Sequence, residues 1–334
     1  MTILTSEIQW RRAALLSDSI PASNGGRMTA TPIVSGVKNN LFPDVSQAER
    51  SAGIAHWRKA FVAVRSPGAD VLLNPKLSIE APSAGDSYLL LYAGTHDDTQ
   101  DEVIGRPYGI GVLAAAVGLG DTVLSVAAES AEYSAMSDKP FQSGDLVRID
   151  ARADVLSAGA SEYRTIATVT YAGAAMAITL AEGLTGAYDA GAVVASVLQP
   201  DDVACVYADV ATTGGLTCTP AGALALTNLG AIFQTWTVTV TNAATGALAV
   251  SGDLVGAVGT GALGATLAPL NPASGTPYFS LAPGAWGGTP GTGDTLTFST
   301  IPAAVPLWSR RVVPAGAAAI AVDTLAVCLE GETA

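Results

Sequence analysis

The stretch from Ile232 to Asn242 (IFQTWTVTVTN) constrains the fold more than any other part of this sequence. Trp236, Val238 and Val240 alternate with threonines at a strict period of two. In a β-strand this period places the apolar side chains on one face and the threonines on the other, whereas a helix would scatter them around its circumference. Threonine and valine also favour the extended backbone. The stretch therefore predicts a half-buried β-strand.

Similar runs follow one another beyond Gly105, at the roughly ten-residue spacing of all-β proteins. The clearest are TVLSVAA, DLVRID, EYRTIATVTY, MAITL and AVVASVL. The 36 glycines and 18 prolines suit the many tight turns that such strands need. We predict a mainly β chain of several antiparallel β-sandwich or barrel units, with a short helix or two in its N-terminal domain.

A length of 334 residues predicts two or three domains. We expect an N-terminal assembly domain over residues 1–104, a small β-barrel or sandwich over 105–200 and a second β-sandwich over 201–302. Residues 303–334 end in an apolar strand, which we expect to return to the N-terminal domain.

Within the N-terminal domain, the apolar spacing of residues 3–16 predicts a short amphipathic helix. Phe42–Asp44 reads as a turn into a second short helix, capped by Asp44 or Ser46. A strand is predicted over Ala60–Val64. Further on, the Gly/Ala/Pro-rich residues 256–276 are expected to form a long loop lying on a neighbouring surface.

Four copies of Gly-Asp-x-(Leu/Val) punctuate the chain after the N-terminal domain. They begin at Gly120, Gly144, Gly252 and Gly293, and each precedes an apolar run. Glycine supplies the unusual dihedral of a tight turn, and aspartate hydrogen-bonds the turn backbone. We expect these pairs to be hairpin turns.

The net charge of −13 is unevenly distributed. Residues 1–80 carry nine Lys/Arg against six Asp/Glu, whereas residues 165–309 carry seven acids and neither Lys nor Arg. Such a surface would repel a phosphate backbone, so nucleic-acid recognition is not expected. Only 13% of residues are charged, yet no apolar run is long enough to predict a membrane span.

The three cysteines, Cys205, Cys218 and Cys328, show no metal-binding spacing, and we expect buried free thiols. A bridge between Cys205 and Cys218 is the alternative. The first residues lack a secretory signal, although the Lys-poor β composition is common in surface-exposed proteins. A virus particle component, made in the host cytoplasm and released by lysis, accounts for both observations.

No stretch of the sequence announces an active site, and no cofactor is expected. His96, Asp97 and Asp98, followed by Asp101 and Glu102, form the best metal-like cluster, but their spacing fits an exposed acidic loop better. The sequence contains no Gly-x-Ser-x-Gly, P-loop or His-Glu-x-x-His motif.

Four weaker patterns also bear on function. The segment GIGVLA from Gly109 satisfies a dinucleotide-binding pattern without the surrounding β/α alternation. His56 lies in an apparent packing segment. Paired carboxylates for glycoside cleavage can come from distant positions, so a hydrolase remains the third hypothesis. Trp286 and Tyr278 offer aromatic surfaces to a sugar or to a subunit contact.

Four segments resemble virion structural proteins encoded in the tail-gene region of some tailed bacteriophages. They are Gly25–Thr29 (GGRMT), Asn39–Ser46 (NNLFPDVS), Trp57–Val64 (WRKAFVAV) and Trp308–Ala317 (WSRRVVPAGA). The resemblance covers the N-terminal third best and carries over no functional residue. It implies non-enzymatic assembly into a ring or tube.

The leading hypothesis is therefore a structural subunit of a phage tail, baseplate or neck, located in the virion and bound to copies of itself and to neighbouring virion proteins. The second is a surface β-sandwich module that binds a host carbohydrate or receptor. The candidate intersubunit contact residues are Arg310, Arg311, Asp97, Asp98, Asp101, Glu102 and Trp286. Exposed ion pairs contribute only about 0 to 1 kcal/mol each, so buried apolar surface should supply most of the affinity.

Overall fold

The computed structural model of the chain describes residues 2–151 and 159–333, and its strands pair antiparallel throughout. The first strands are β1 (Ile8–Leu15), β2 (Gly25–Pro32), β3 (Ile54–Val64), β4 (Leu72–Ala81) and β5 (Tyr88–Ala93). Then come β6 (Ile110–Leu113), β7 (Val123–Ala128), β8 (Leu146–Asp150), β9 (Ser161–Ala172), β10 (Ala175–Leu180) and β11 (Val193–Ser196). The predicted mainly β class is confirmed.

The remaining strands are shorter on average. They are β12 (Val206–Thr212), β13 (Leu216–Cys218), β14 (Leu224–Ala225), β15 (Gln234–Asn242), β16 (Ala247–Gly252), β17 (Gly256–Ala262), β18 (Leu270–Asn271), β19 (Thr276–Pro277), β20 (Ser280–Leu281), β21 (Trp286–Gly288), β22 (Thr295–Ile301), β23 (Ala304–Val313) and β24 (Ala326–Thr333). Single 3-10 turns cover Thr5–Glu7, Pro21–Ser23, Gln100–Glu102, Ala131–Ala135 and Pro283–Ala285.

The N-terminal sheet has the order β2-β1-β3-β23-β5, so the late strand β23 lies in its interior. A two-stranded ribbon of β4 and β24 covers one of its faces. Alternate residues of β5 enter different cores: Tyr88, Leu90 and Tyr92 join the barrel core, while Leu89 and Leu91 join the core under β4. The N-terminal sheet is therefore buried on both faces at β5.

A closed six-stranded barrel has the order β10-β7-β6-β11-β8-β9. The five runs predicted as strands between Gly120 and Leu198 supply five of these six strands. β7 and β10 alternate at a period of two, whereas β11 is buried at every position. Strand β6 supplies the sixth and contains most of the GIGVLA segment from Gly109, which is therefore barrel wall rather than a dinucleotide loop.

The C-terminal sheet has the order β12-β22-β15-β16-β17 and is accompanied by three two-stranded sheets. The predicted strand over Ile232–Asn242 is confirmed as β15, in which Trp236, Val238 and Val240 are completely buried. The Trp236 indole Nε1 donates to Thr300 Oγ1 at 2.9 Å, so this large side chain buries no unpaired N–H.

The helix predicted over residues 3–16 is wrong, because most of this segment is strand β1. Its residues pair with β3 from Ile8↔Val64 to Arg12↔Ala60. Ile8 and Trp10 then reach the core under β4, a period-two pattern that the helical reading overlooked. Pairing in the sheet outweighed the weak local helical propensity.

The second helix prediction is confirmed. Helix α1 (Gln47–Ala52) is the one α-helix among the described residues. Ser46 is its N-cap, accepting from the Glu49 N–H, while the Glu49 carboxylate accepts from the Ser46 N–H at 2.7 Å. This reciprocal capping satisfies two backbone donors of a helix too short to be stable alone.

The long loop predicted over residues 256–276 is also wrong in part, because it contains the edge strand β17 and the short strand β18. β17 pairs with β16 along most of its length, and its Val258 packs against the core of the C-terminal sheet. Backbone pairing can therefore hold a segment that consists mainly of glycine and alanine. Of the four Gly-Asp pairs, those at Gly120, Gly144 and Gly293 have positive φ and precede strands, as predicted. The pair at Gly252 lies at the predicted kind of hairpin turn, between β16 and β17, whereas the strands before Gly144 and Gly293 do not pair with the strands that follow.

All three cysteines are free, so the structure contains no bridge between Cys205 and Cys218. Each is partly buried. Burial raises the pKa of the Cys205 and Cys218 thiols, which keeps them in the unreactive protonated form at neutral pH.

Candidate assembly surface

A buried ion pair lies at the centre of one face of the N-terminal sheet. The Lys59 side chain is completely buried, and its Nζ lies 2.5 Å from Asp98 Oδ1. Lys59 also donates to the Gly26 carbonyl at 2.7 Å. The Trp308 indole Nε1 donates to Asp98 Oδ2 at 2.7 Å. Asp98, predicted as an intersubunit contact, is thus placed inside the chain, where it joins β3, β23 and the loop after β5.

Burial has a cost for this lysine. Desolvation lowers the pKa of Lys59, and the neighbouring Asp98 carboxylate opposes that shift. A buried charge is tolerated only when it is paired and hydrogen-bonded, and the three partners of Nζ meet that condition. The pair therefore holds the surrounding loop in one position.

We call residues 95–102 the acidic loop. Asp97, Asp101 and Glu102 are exposed there, and none forms an ion pair with a described residue. Thr99 fixes the end of the loop, because its N–H donates to Glu102 Oε2 and its hydroxyl donates to Asp101 Oδ1. The loop thus presents three carboxylates from a rigid backbone.

Arg310 and Arg311 are consecutive residues of β23 and point to opposite faces of the sheet. Arg311 is buried under the chain that precedes α1, where its Nη2 donates to the Pro43 carbonyl at 2.9 Å and contacts His56 Nδ1 at 3.0 Å. Its guanidinium also lies 4.9 Å from the centre of the Phe42 ring. Arg311, also a predicted contact residue, is therefore occupied within the chain.

Arg310 is only partly buried and lies opposite Trp57 in the β3–β23 register. Its guanidinium carbon is 5.5 Å from the centre of the Trp57 ring, a cation–π distance. Arg310 forms no ion pair with a described residue, and its Nε is buried without a hydrogen-bond partner. Arg310 interacts with the Tyr92 hydroxyl, whose own pKa is raised by burial.

The two histidines occupy packing positions. His56 Nε2 lies 3.6 Å from Glu49 Oε1, and burial together with Arg311 lowers the His56 pKa. His96 stacks on Phe233, with ring centres 5.4 Å apart, and burial lowers its pKa to about 4. No hydrogen bond in the described residues joins either ring to a serine or cysteine side chain, the pairing that activates a serine or cysteine nucleophile.

The His96–Phe233 stack also joins two parts of the fold. His96 belongs to the acidic loop of the N-terminal region, whereas Phe233 immediately precedes β15 of the C-terminal sheet. Beside it, Arg27 Nη2 forms an ion pair with Asp253 Oδ2 at 2.7 Å. Arg65 adds hydrogen bonds to the Asn228 and Leu229 carbonyls, both at 2.7 Å. These contacts hold the C-terminal sheet against the N-terminal sheet.

The residues of the metal-like cluster do not converge on one point in the structure. Among the described residues, no group of three or more His, Cys, Asp or Glu side chains is placed to hold an ion. Asp98 and His96 turn inward to Lys59 and Phe233, while Asp97, Asp101 and Glu102 face solvent. The consecutive acids are thus separated by the fold.

The structure brings together two carboxylates that sequence reasoning did not connect. Glu129 Oε1 accepts the Ser83 N–H at 2.7 Å, and Asp323 accepts the Ser83 hydroxyl at 2.8 Å. Burial raises the Glu129 pKa to about 7. Glu129 and Asp323 lie 194 positions apart in the sequence, so no sequence spacing predicts that they come close together. Two surface depressions lie away from this pair, one lined by residues between 115 and 125 and the other by residues 47–51 and 316–319. Among their lining residues, Asp121 is the one carboxylate.

The aromatic residues proposed for sugar binding are not exposed platforms. Trp286 lies in β21, opposite Cys218, and is half-buried against the core of the C-terminal sheet. Tyr278 is buried, with its ring 5.0 Å from that of Trp236. The buried Tyr278 ring therefore offers no open face on which a sugar could stack, and the Trp286 ring is only partly accessible.

Five apolar side chains are exposed by 43 to 64% in the two segments that flank β2: Leu15, Leu16, Ile20, Val34 and Val37. We call these five side chains the apolar patch. Arg58 ties these segments together, because its Nη1 bonds Asp18 at 2.6 Å and its Nε bonds the Leu41 carbonyl at 3.1 Å. Sequence reasoning missed the patch because it placed the first three residues in or just after a helix.

No family model, curated protein or solved structure matches this chain. Within the described residues, no helix has the length and hydrophobicity to cross a bilayer.

Proposed function

We propose that this chain is a non-enzymatic structural subunit of a tailed bacteriophage virion, in the tail or an attached baseplate or neck, and that it assembles with copies of itself into a ring or tube. The observation that carries the proposal is the apolar patch. Five large apolar side chains stand in solvent on an ordered surface tied down by Arg58. Apolar patches of this kind mark contact surfaces with other proteins.

The position of the patch also supports the proposal. The four segments that resemble phage tail-region proteins are distant in sequence, yet all lie in or beside the N-terminal sheet: in β2, before α1, in β3 and in β23. The apolar patch borders the first two. One assembly module built from the N-terminal sheet therefore accounts for both observations.

Burial of the patch would supply the affinity. Covering a fully exposed leucine or isoleucine side chain contributes about 1.5 to 3 kcal/mol. Closed rings repeat one such contact around an axis. Neighbouring virion proteins are the other expected partners, and the virion is the expected location.

The experiment is a pair of charge insertions in the apolar patch. Leu16→Asp and Ile20→Asp should each weaken self-association, measured by sedimentation velocity over a range of concentrations. Leu119→Asp is the matched control, because Leu119 is 75% exposed and outside the patch. Equal association of all three variants and the unmodified chain would exclude the patch as the contact.

A further inference from the structure

Several basic side chains that the fold removes from water have a carboxylate partner within the chain. Six side chains with exposures of 22% or less form such ion pairs: Arg27–Asp253, Arg58–Asp18, Lys59–Asp98, Arg106–Asp145, Arg148–Asp150 and Arg164–Glu162. Other basic side chains instead donate to backbone carbonyls: Arg11, Arg12, Arg50, Arg65, Lys76, Lys139 and Arg311. Among the described residues, Arg310 is partly buried with neither kind of partner.

The Arg310 guanidinium is already positioned to receive a ligand. The Trp57 ring supports its face, and the Tyr92 hydroxyl lies beside it. Nε is buried without an acceptor, and the residue as a whole is partly exposed. Part of the Arg310 side chain therefore meets solvent. A planar fork held in this way suits bidentate binding of a carboxylate.

The chain offers the complementary charge nearby. Lys59 and Asp98 neutralise each other, so Asp97, Asp101 and Glu102 leave the acidic loop with an excess of negative charge. The Asn24 side-chain amide donates to both the Trp57 carbonyl and Gln100 Oε1, each at 2.9 Å. The acidic loop and Arg310 therefore flank the same part of the molecular surface.

We propose that Arg310 binds a carboxylate of the acidic loop, Asp101 or Glu102 first, on a second copy of this chain. The contact rests on the proposed homo-oligomer and names one of its polar interactions. Within one chain these groups form no ion pair, although they share a surface. A second copy supplies the carboxylate, and partial desolvation strengthens the resulting pair relative to one in bulk water.

The test is a charge swap read by sedimentation velocity at low salt. Arg310→Glu alone, and Asp101→Lys with Glu102→Lys, should each lower the association constant by about tenfold, because attraction becomes repulsion. An equimolar mixture of the two variants, and a chain carrying all three changes, should regain association to within about threefold of the unmodified chain.

Controls separate this contact from general charge effects. Glu182→Lys and Asp189→Lys change exposed charges elsewhere and should leave association within about twofold. Unchanged circular dichroism and melting temperature show that each variant is folded. Asp101 and Glu102 are exposed, so the loop variants keep the test informative even if Arg310→Glu destabilises the fold.

Three results would overturn the proposal. Association of the single-site variants at the unmodified strength excludes the contact. Weakened association without recovery in the mixture or the triple variant shows that Arg310 acts on another ligand. Either of these results, obtained while the unmodified chain associates normally, contradicts this contact alone. An unmodified chain that is monomeric at every concentration contradicts the proposed function as well.

Discussion

The Trp308 indole donates a 2.7 Å hydrogen bond to the Asp98 carboxylate, across 210 positions of sequence. This bond fixes the acidic loop to β23 at the centre of the N-terminal sheet. Asp98 also pairs with the buried Lys59, so one carboxylate holds two partners from different strands. The rigidity of the candidate contact surface depends on this arrangement.

Removing the Asp98 carboxylate should strongly destabilise the fold. Asp98→Ala leaves Lys59 charged and buried without its partner, which costs about 3 to 5 kcal/mol in the free energy of unfolding. Chemical denaturation measures the loss. Asp97→Ala is the control, because Asp97 is exposed and should change stability by less than about 0.5 kcal/mol. Equal stabilities of the two variants would contradict the account of the buried pair.

His96 should make the fold sensitive to acid. Its pKa is about 4 in the folded chain against an ordinary 6.5, so between these values the unfolded chain binds more protons. The contribution of His96 to the free energy of unfolding is therefore fully present above pH 6.5 and is lost as the pH falls through 4. The loss amounts to about 3 kcal/mol. Lys59, Asp97, Asp98 and the partner ring of Phe233 surround the imidazole.

Denaturation of a His96→Phe variant at pH 7 and pH 4.5 tests this dependence. The substitution keeps an aromatic ring against Phe233 and removes the titrating group, so the variant should lose less stability on acidification than the unmodified chain. An identical loss in both proteins would show that the imidazole takes up its proton as easily when folded as when unfolded.

Glu129 should make the fold less stable as the pH rises, which is the opposite of the effect of His96. Burial raises its pKa to about 7 from an ordinary 4.5, so its contribution is present below pH 4.5 and is lost as the pH rises through 7. Glu129→Gln keeps an acceptor for the Ser83 N–H and cannot ionise. The difference in the free energy of unfolding between the variant and the unmodified chain should therefore be about 3 kcal/mol more favourable to the variant at pH 8 than at pH 4. Glu182→Gln, at an exposed site, should show no such difference.

Sequence periodicity predicted the strands well where one face is buried. β15 is the clearest case, since its Trp/Val and Thr residues separate by face over most of its length. Periodicity failed at β1, because Ile8 and Trp10 alone mark its buried face and the following alanines and leucines fit a helix equally well. It also failed at β17, where glycine and alanine carry no face preference and pairing with β16 decides the structure.

The candidate site was harder to predict than the fold. Charge suggested that Asp98 and Arg311 would be exposed, but their partners Lys59, Trp308 and Pro43 are supplied by distant segments that no local pattern identifies. Once β23 is recognised as a strand, its period of two places the Arg310 and Arg311 side chains on opposite faces of the sheet. Which of the two faces water depends on the layers that cover the sheet, and those follow from tertiary packing.

The most direct test of the proposed function is the state of the purified unmodified chain. Negative-stain electron microscopy and sedimentation velocity, over a concentration series and with the neighbouring virion proteins added, measure it. The account predicts regular rings or tubes whose formation is weakened by Leu16→Asp and Ile20→Asp. Dispersed monomers under every condition, with or without those proteins, would contradict it.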